Sequence, residues 1–364
     1  MKESSNRKPR FLRVLFRLIA LALVLCLLPA FAAAESAEEE AGDWVEFLLI
    51  CNEGMNNDKG NAGNTLMVIS MNPEKGKIRL LMFTWDTFID YEGYDVPQKL
   101  DMPYRNNGPE EAMKVFNANF GTNIQHYMSL NYLNLASMID DYGGVDVDIS
   151  RAERNALNGM VGSKKNQLLA QVDSGLLTQA MVDMLADEYY LTEFGPGTHL
   201  NGLQAVGFGW LPYDSVYNCC GREAKVIASM FENCSNTISK KIAFYTDAAG
   251  YPEELNGRRA VNLDNMTQSD YEFIRAQLAP IFQKSYNNLP EDVIRSITVS
   301  LARVAYEASR QGADIFDEDH VKFMVLPLEA TQEYDIIAGA KGHIVDKEAN
   351  SKAIREFLFQ DDDN

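Results

Sequence analysis

"TLMVISMNPEKGKIRLLMFTWDT", residues 65–87, is the most informative stretch of this 364-residue chain. Two apolar runs, 65–72 and 77–86, flank the turn sequence Pro-Glu-Lys-Gly, and this pattern predicts two neighbouring β-strands. The second run is almost continuously apolar, which is typical of a strand covered on both faces. It ends at Asp86 and Thr87. Ligands of open α/β sheets bind beside strand ends, so we expect the functional site here.

Strands and helices alternate on both sides of this pair. Further strands are expected at 44–50, 124–131, 145–150 and 323–329. Helices are expected at 108–121, 132–144, 200–209, 221–234 and 262–278, with a C-terminal helix inside 342–359. The polar region 151–193 is interpreted as an insertion over the sheet with helical segments. The alternation predicts a layered α/β domain.

The first 34 residues have the layout of an export signal. Six Lys and Arg precede an uncharged apolar run at 18–34, and small residues at 32–34 suit a cleavage site. An uncleaved membrane anchor is the alternative, because the run is at the short end of the range for a bilayer span. Under either interpretation, residues 35–43 are an acidic linker and the globular part lies outside the cytoplasmic membrane, secreted or held at its outer face.

Charge and cysteine content exclude two function classes. Without residues 1–34 the formal charge is −24, so we expect no binding to nucleic acid. The exported part contains no paired CxxC motifs, so a zinc site is not expected. A disulfide from Cys234 to Cys219 or Cys220 and a set of free thiols both stay open.

Four motifs, in order along the chain, strongly resemble those of the LytR-CpsA-Psr family. Residues 84–87, Thr-Trp-Asp-Thr, align with the family's Pro-Arg-Asp-Thr motif. Residues 99–104 align with its Lys-(Ile/Leu)-Asn-x-x-Tyr motif, with Asp101 in place of asparagine. Residues 143–147 match Gly-Gly-Val-Asp-Val, and residues 198–208 contain Leu-Asn-Gly-x-Gln-Ala. The order and spacing of the motifs make the resemblance specific.

The resemblance covers residues 44–360, with longer insertions than usual near 153–192 and 280–318. It implies a three-layer α–β–α domain around a mixed central sheet. It also implies an extracytoplasmic enzyme of cell-wall assembly that transfers a polyprenyl-pyrophosphate-linked glycopolymer to peptidoglycan, with Mg²⁺ assisting. Such phosphoryl transfer needs carboxylates to hold the metal and cations to neutralise the phosphate oxygens.

The resemblance also implies roles for individual residues. The implied catalytic residues are Asp86, Lys99 and Arg222, and the implied Mg²⁺ ligands are Asp86 and Asn64. The implied substrate-binding residues are Thr87, Tyr104, Gln204, Lys225, Trp85 and Trp210. Ordinary structural roles are the alternative: Asp86 capping the turn after its strand, and solvated surface charges for the lysines and the arginine.

Four positions that hold arginine in the family are uncharged here, and a metal-binding aspartate has become Asn64. The four substitutes are Ala62, Trp85, Trp210 and Pro212. Arginine–phosphate contacts are charge-assisted and often bidentate. Loss of one electrostatic donor of this kind costs on the order of 3 kcal/mol of transition-state stabilisation. The tryptophans either pack in the core or offer flat apolar faces to a sugar or prenyl chain.

Two hypotheses follow from these departures. In the first, the protein is a working glycopolymer phosphotransferase that uses Asp86 for Mg²⁺ and Lys99, Arg222 and Lys225 for the phosphates. In the second, it is a catalytically degenerate homologue that binds a lipid-linked or wall glycopolymer, or a sister enzyme, without turnover.

Overall fold

The strand pair predicted at 65–87 lies at the centre of the fold. The structure is a computed structural model that describes residues 44–52, 63–172, 189–311 and 321–359. The strands in these residues are β1 Val45–Asn52, β2 Gly63–Asn72, β3 Lys77–Phe83, β4 Phe88–Ile89, β5 Gln98–Lys99, β6 Tyr127–Asn131, β7 Val145–Ile149, β8 Gly195–Leu200, β9 Ile242–Tyr245, β10 Arg259–Asn262, β11 Tyr286–Asn287, β12 Val321–Leu326, β13 Gln332–Ile337 and β14 Ala340–Val345. The helices are α1 Met102–Asn107, α2 Pro109–Phe120, α3 Tyr132–Asp141, α4 Arg151–Val172, α5 Gly202–Gly209, α6 Val216–Ser239, α7 Gln268–Gln277, α8 Ala279–Gln283, α9 Glu291–Gln311 and α10 Lys347–Phe359.

Six strands form a mixed central sheet in the order β11-β6-β1-β2-β3-β12. β2 is antiparallel to β1 and to β3, whereas β6 runs parallel to β1 and β12 runs parallel to β3. The turn between β2 and β3 is the predicted one. The Asn72 side chain accepts hydrogen bonds from the N–H groups of Glu74 and Lys75, and Gly76 has a φ of +62°. This left-handed conformation suits a residue without a side chain.

Both faces of the sheet are covered. Leu49, Ile69 and Leu80 belong to a buried apolar cluster that includes residues of α6 and α9. On the opposite face, Phe83 contacts Phe116 and Phe120 of α2, with ring centroids 4.6 and 5.0 Å apart. Successive side chains of a strand point to opposite faces, so the apolar run of β3 fills two layers at once. The three-layer α–β–α prediction is confirmed.

The strand expected at 77–86 is three residues too long. β3 ends at Phe83 because the chain turns there. The Thr84 N–H donates to the Leu326 carbonyl at 2.9 Å, and the Thr87 N–H donates to the Thr84 carbonyl at 3.1 Å. The hydroxyl oxygens of Thr84 and Thr87 are 2.7 Å apart and buried. This closed turn positions Asp86 at the end of the strand.

Two further differences lie in the second half of the chain. The helix expected at 221–234 is longer: α6 starts after Ser215, whose side chain accepts a hydrogen bond from the Asn218 N–H. The β13–β14 hairpin was not expected, since most of its residues are partly or fully exposed and give no clear apolar alternation. Helix α9 lies within 280–318, where the resemblance implies a longer insertion than usual, and packs into the core through Ile297 and Leu301.

The export leader at 1–34 and the acidic linker at 35–43 lie outside the described residues. The same is true of 173–188, the middle of the predicted polar insertion, which follows α4. Within the described ranges, we find no helix with the length and apolar character that a bilayer span requires.

Candidate functional site

The carboxyl ends of four strands meet at one edge of the central sheet. β1, β3, β6 and β12 are parallel to one another, and all of them end at this edge. β2 begins here, with Thr65 paired to Cys51 of β1. We call this end of the sheet the carboxyl edge and define it by Asn52, Thr65, Asn131 and residues 84–87. Ligands of open α/β sheets bind at such an edge.

Asp86 is paired with a histidine from the C-terminal hairpin. Its side chain is buried, and its Oδ1 lies 2.9 Å from Nδ1 of His343. The backbone N–H of His343 also donates to the Asp86 carbonyl at 3.1 Å. Gly342 allows this approach, since a Cβ there would lie 2.2 Å from the Asp86 carbonyl oxygen. Within the described residues, the Asp86 carboxylate therefore contacts an imidazole and forms no hydrogen bond to the backbone of its own turn.

Sequence reasoning missed His343. The chain contains four histidines, and none stands in a recognised catalytic or metal-binding spacing. His343 reaches Asp86 only because β14 forms a parallel bridge with Thr87. Its ring contacts those of Tyr217 and Tyr334, at centroid distances of 5.5 and 5.0 Å. No local signal predicts a pairing across 257 residues of chain.

Trp85 and Lys99 are brought together beside Asp86. The Lys99 ammonium lies 4.5 Å from the centroid of the Trp85 ring, within the range of a cation–π contact. The pairing of β4 with β5, which places Phe88 opposite Lys99, holds the two segments together. Trp85 is 38% exposed, so its indole lies on the surface. The tryptophan at a family arginine position thus holds a positive charge contributed by another residue.

Thr87 and Tyr104 are buried at the carboxyl edge. The Tyr104 hydroxyl accepts a hydrogen bond from the Asn52 side chain at 2.7 Å and lies 3.0 Å from the Ser129 hydroxyl. These contacts join α1 to the end of β1 and to the middle of β6. The Thr87 hydroxyl is bonded to Thr84, as described above. Both predicted substrate-binding residues therefore form hydrogen bonds to other protein groups at the carboxyl edge.

Trp210 packs against the start of β2. Its indole N–H donates to the Thr65 hydroxyl at 3.0 Å, and its ring lies 6.5 Å from that of Tyr132. Glu223 is buried nearby. Burial raises its pKa to about 8, against the lowering effect of hydrogen bonds from Thr65 and Cys219 and of the Arg222 charge. At neutral pH this carboxyl group therefore carries its proton.

The Arg222 side chain forms its hydrogen bonds within the protein. Its guanidinium is buried and donates to the Leu211 carbonyl at 2.6 Å and to both Asp214 oxygens at 3.0 and 3.2 Å. Glu153 lies 3.7 Å away. The buried arginine thus joins α6 to the segment between α5 and α6, through the Leu211 carbonyl and the exposed Asp214. Pro212, at another family arginine position, is exposed in that segment.

The remaining predicted site residues that the structure describes do not contact Asp86. Gln204 completes a capping box with Asn201 at the start of α5 and donates to the Tyr190 carbonyl at 3.1 Å. Lys225 is exposed on α6. In the described residues, Asp86 forms no ion pair with a lysine or arginine. Ala62 and the side chain of Asn64 lie outside the described part of the structure.

Of the two predicted Mg²⁺ ligands, Asp86 and Asn64, the structure describes the side chain of Asp86 alone. Mg²⁺ requires an octahedral set of oxygen ligands. The Asp86 carboxylate is bonded to His343, and no group of three His, Cys, Asp or Glu side chains suited to a metal occurs in the described ranges. The predicted magnesium site at Asp86 and Asn64 stays a prediction, and no chemical step is assigned to it.

The four cysteines of the described ranges are free thiols. Cys51 and Cys234 are buried, and burial raises the pKa of each thiol. Cys219 donates to the Gly209 carbonyl at 3.1 Å, and burial raises its pKa to about 12. The sequence leaves open either a disulfide from Cys234 or a set of free thiols, and in the structure the thiols are free.

Comparison with known proteins decides the family, because residues 32–242 match the model of the LytR_cpsA_psr family. The chain belongs to the LytR-CpsA-Psr family. The sequence match covers more than half of the chain and includes all four motifs described above.

Solved structures similar to this LytR-CpsA-Psr protein share its fold. A crystal structure of Bacillus subtilis TagV superposes with a TM-score of 0.53 at 12% identity, covering 87% of this chain and 97% of that one. A structure of TagT bound to LIIa-WTA gives 0.54 at 11% identity, covering 88% and 92%. At such identities the likeness concerns the fold alone.

Curated relatives match over a shorter stretch. The polyisoprenyl-teichoic acid–peptidoglycan teichoic acid transferase TagU of Bacillus mycoides is 25% identical over 114 residues, 31% of this chain and 37% of that protein. The Enterococcus faecalis TagU is 28% identical over 85 residues, 23% and 28% of the two chains. The chain thus matches about a third of the length of these relatives.

Proposed function

We propose that this LytR-CpsA-Psr protein acts outside the cytoplasmic membrane in cell-wall assembly and transfers a polyprenyl-pyrophosphate-linked glycopolymer to peptidoglycan. One observation carries the proposal: the carboxyl edge brings together Asp86, Trp85 and Lys99, which come from two separate family motifs. Family membership and the teichoic acid transferase activity named for the TagU relatives support it. The substrate's prenyl chain and an N-terminal anchor would hold the protein at the membrane surface.

The arrangement at the edge suits a lipid-linked sugar phosphate. The exposed indole of Trp85 presents a flat apolar face on which a sugar ring or prenyl chain stacks. Lys99, held over that ring, supplies a positive charge for phosphate oxygens next to the stacked group. Trp85 and Lys99 together thus bind both parts of such a ligand.

Binding without turnover is the second candidate. It is favoured by the state of Arg222, whose guanidinium is buried against Asp214 and the Leu211 carbonyl. In this arrangement the arginine does not reach a phosphate. Trp85 and Trp210, at positions of family arginines, keep apolar surface while lacking the charge. A site of this kind would still recognise the polymer.

The decisive experiment uses the full chain in detergent, a polyprenyl-pyrophosphate-linked oligosaccharide and peptidoglycan fragments. Mass spectrometry follows release of the polyprenyl monophosphate and formation of the phosphodiester product. We expect release by the wild type and its loss in Asp86→Ala. Asp146→Ala, which removes the carboxylate of an exposed Asp–His pair elsewhere, is the matched control and should behave as wild type.

Binding of the same lipid-linked oligosaccharide is measured in parallel. Binding that is retained by the wild type without any product would select the second candidate. Binding that is weakened by Trp85→Ala under either outcome would place the ligand at the carboxyl edge. Absence of both binding and product would contradict both candidates.

A further inference from the structure

We propose that a polar cleft at the end of α6, remote from the carboxyl edge, is a second binding site and holds a negatively charged glycan of the cell wall. The choice of a wall glycan as the ligand rests on the proposed function, whereas the cleft itself follows from the residues of this chain. The negative charge has two sources with one chemistry: carboxylates on peptidoglycan, or phosphates on a wall glycopolymer.

Two segments build the cleft. One is the last two turns of α6, and the other is the turn at 255–258 that precedes β10. The Arg259 N–H donates to the Lys241 carbonyl at 2.9 Å, which holds this turn beside the end of the helix. Tyr142 is buried and belongs to the lining, and its hydroxyl donates to the Gln277 carbonyl at 3.2 Å. The volume of about 590 Å³ lies within the range of ligand-binding sites.

The cleft is separate from the carboxyl edge. Tyr217, near the start of α6, contacts the ring of His343, whereas Asn236 of the cleft lies 19 residues further along the helix. At about 1.5 Å per residue, this separates the two positions by about 28 Å. At the cleft end, the Ser239 hydroxyl donates to the Ala305 carbonyl of α9 at 3.4 Å. A ligand in the cleft therefore does not contact the residues at the carboxyl edge.

The cleft contains positive charge that the protein does not neutralise. Lys240 and Arg258 line it, and neither forms an ion pair with another described residue. The Arg258 Nε donates to the Leu255 carbonyl at 3.1 Å, which leaves both terminal nitrogens of the guanidinium to bind a ligand. The carbonyl end of α6 contributes about half a negative charge, so two cations give the cleft a net positive charge. In a chain with a formal charge of −19, this cleft attracts anions locally.

Acidic side chains do not cancel this charge. In the part of the chain that the structure describes, no Asp or Glu lines the cleft. Asp141, next to Tyr142 in the sequence, forms an ion pair with Lys284. Glu253 and Glu254 precede the turn, are exposed and do not belong to the lining. The cleft thus suits a ligand with carboxylate or phosphate groups.

The uncharged side chains of the cleft suit the hydroxyl groups of a sugar. The side chains of Asn236, Thr237 and Asn256 form no hydrogen bond to other described residues. Asn233 donates its amide N–H to the Gly144 carbonyl at 2.9 Å, so its Oδ1 is left as an acceptor. Amide side chains both donate and accept hydrogen bonds, as sugar hydroxyls do. A concave site of this composition fits a glycan strand, whereas a flat bilayer surface would contact only its rim.

A glycan strand that occupies both sites gains affinity from its length. Such a strand spans about 28 Å along α6, and binding in the cleft raises its effective concentration at the carboxyl edge. We therefore expect Lys240 and Arg258 to lower KM for long acceptor strands and to leave transfer to short acceptors unchanged.

The double variant Lys240→Gln/Arg258→Gln tests the site in the full chain in detergent, with binding measured by isothermal titration calorimetry. One ligand is a set of peptidoglycan fragments with carboxylates, and the other is a lipid-free wall glycopolymer with phosphates. We expect Kd for at least one of them to rise about 5- to 30-fold, the effect of losing two partly exposed charge pairs. Lys114→Gln/Lys352→Gln makes the same change in net charge on exposed lysines of α2 and α10 and should leave Kd unchanged.

The source of the anion is read from which Kd rises: that of the peptidoglycan fragments indicates carboxylates, and that of the glycopolymer indicates phosphates. Absence of binding by the wild type overturns the inference, and so do Kd values of the variant within twofold of wild type for both ligands. Binding of phosphatidylglycerol vesicles that requires Lys240 and Arg258, with no glycan bound, also overturns it. Lys240 is exposed, so Lys240→Gln alone repeats the test if the double variant does not fold.

Transfer to a short acceptor, measured in the same preparations, separates this inference from the proposed function. Glycan binding that depends on Lys240 and Arg258, with no transfer by the wild type, supports the cleft and overturns the transferase alone. Transfer by the wild type with unchanged glycan binding in the double variant overturns the cleft alone.

Discussion

Replacing Glu223 by Gln is expected to remove a large fall in stability between pH 5 and pH 8. Burial raises the pKa of this carboxyl from its ordinary 4.5 to about 8, against hydrogen bonds from Thr65 and Cys219 and the charge of Arg222. Across this range the folded protein keeps the proton, while the unfolded chain loses it above pH 4.5. The folded state binds more protons there, so the free energy of unfolding falls as pH rises.

The size of the effect follows from the two pKa values. One pKa unit corresponds to about 1.4 kcal/mol. The shift from 4.5 to about 8 therefore amounts to about 5 kcal/mol in full. Between pH 5 and pH 8 we expect Glu223 to account for about 3–4 kcal/mol of lost stability. Gln has nearly the same shape and does not titrate, so the variant lacks this contribution.

Urea unfolding at pH 5, 6, 7 and 8 measures the difference. Glu46→Gln is the matched control, because burial raises the Glu46 pKa to about 7, against a hydrogen bond from Ser70. The loss of stability that Glu46 causes as pH rises should level off about one pH unit earlier than the loss that Glu223 causes. Parallel stability curves for the wild type and Glu223→Gln across this range would refute the reasoning, because Glu223 would then be ionised in the folded state.

Three further outcomes test other parts of the site. Gly342→Ala should lower stability by about 1–3 kcal/mol, because its Cβ meets the Asp86 carbonyl oxygen at 2.2 Å; an unchanged urea midpoint would contradict this contact. Arg222→Met should cost about 1–3 kcal/mol in urea unfolding, since it removes the charge-assisted hydrogen bonds to Asp214 and to the Leu211 carbonyl; an unchanged urea midpoint would contradict a contribution of these bonds to stability. Cys219, with a pKa near 12, should react with DTNB at pH 8 about 10³-fold more slowly than a thiol of pKa 9. The reaction is followed by absorbance at 412 nm, and rapid labelling of Cys219 in the folded chain would place this thiol at the surface.

Much of the fold is determined by local sequence. The Pro-Glu-Lys-Gly turn and its apolar flanks predict the β2–β3 pair, because turn chemistry and hydrophobic pattern act over a few residues. Gly121 ends α2 in a left-handed conformation, and Thr267 starts α7 with a capping box, both within the predicted helix regions. The motif order also identified the family. The loss of arginines at the site is likewise visible from the sequence alone.

Only the tertiary structure decided which side chains meet. The pairing of Asp86 with His343 depends on where the C-terminal hairpin packs, and 257 residues separate the two. The contact of Lys99 with Trp85 depends on the pairing of β4 with β5. The sequence resemblance predicts that Arg222 binds phosphate, yet the folded chain buries it against Asp214. Local patterns specify helices, strands and turns, whereas the partner of a charged side chain is set by the packing of distant segments.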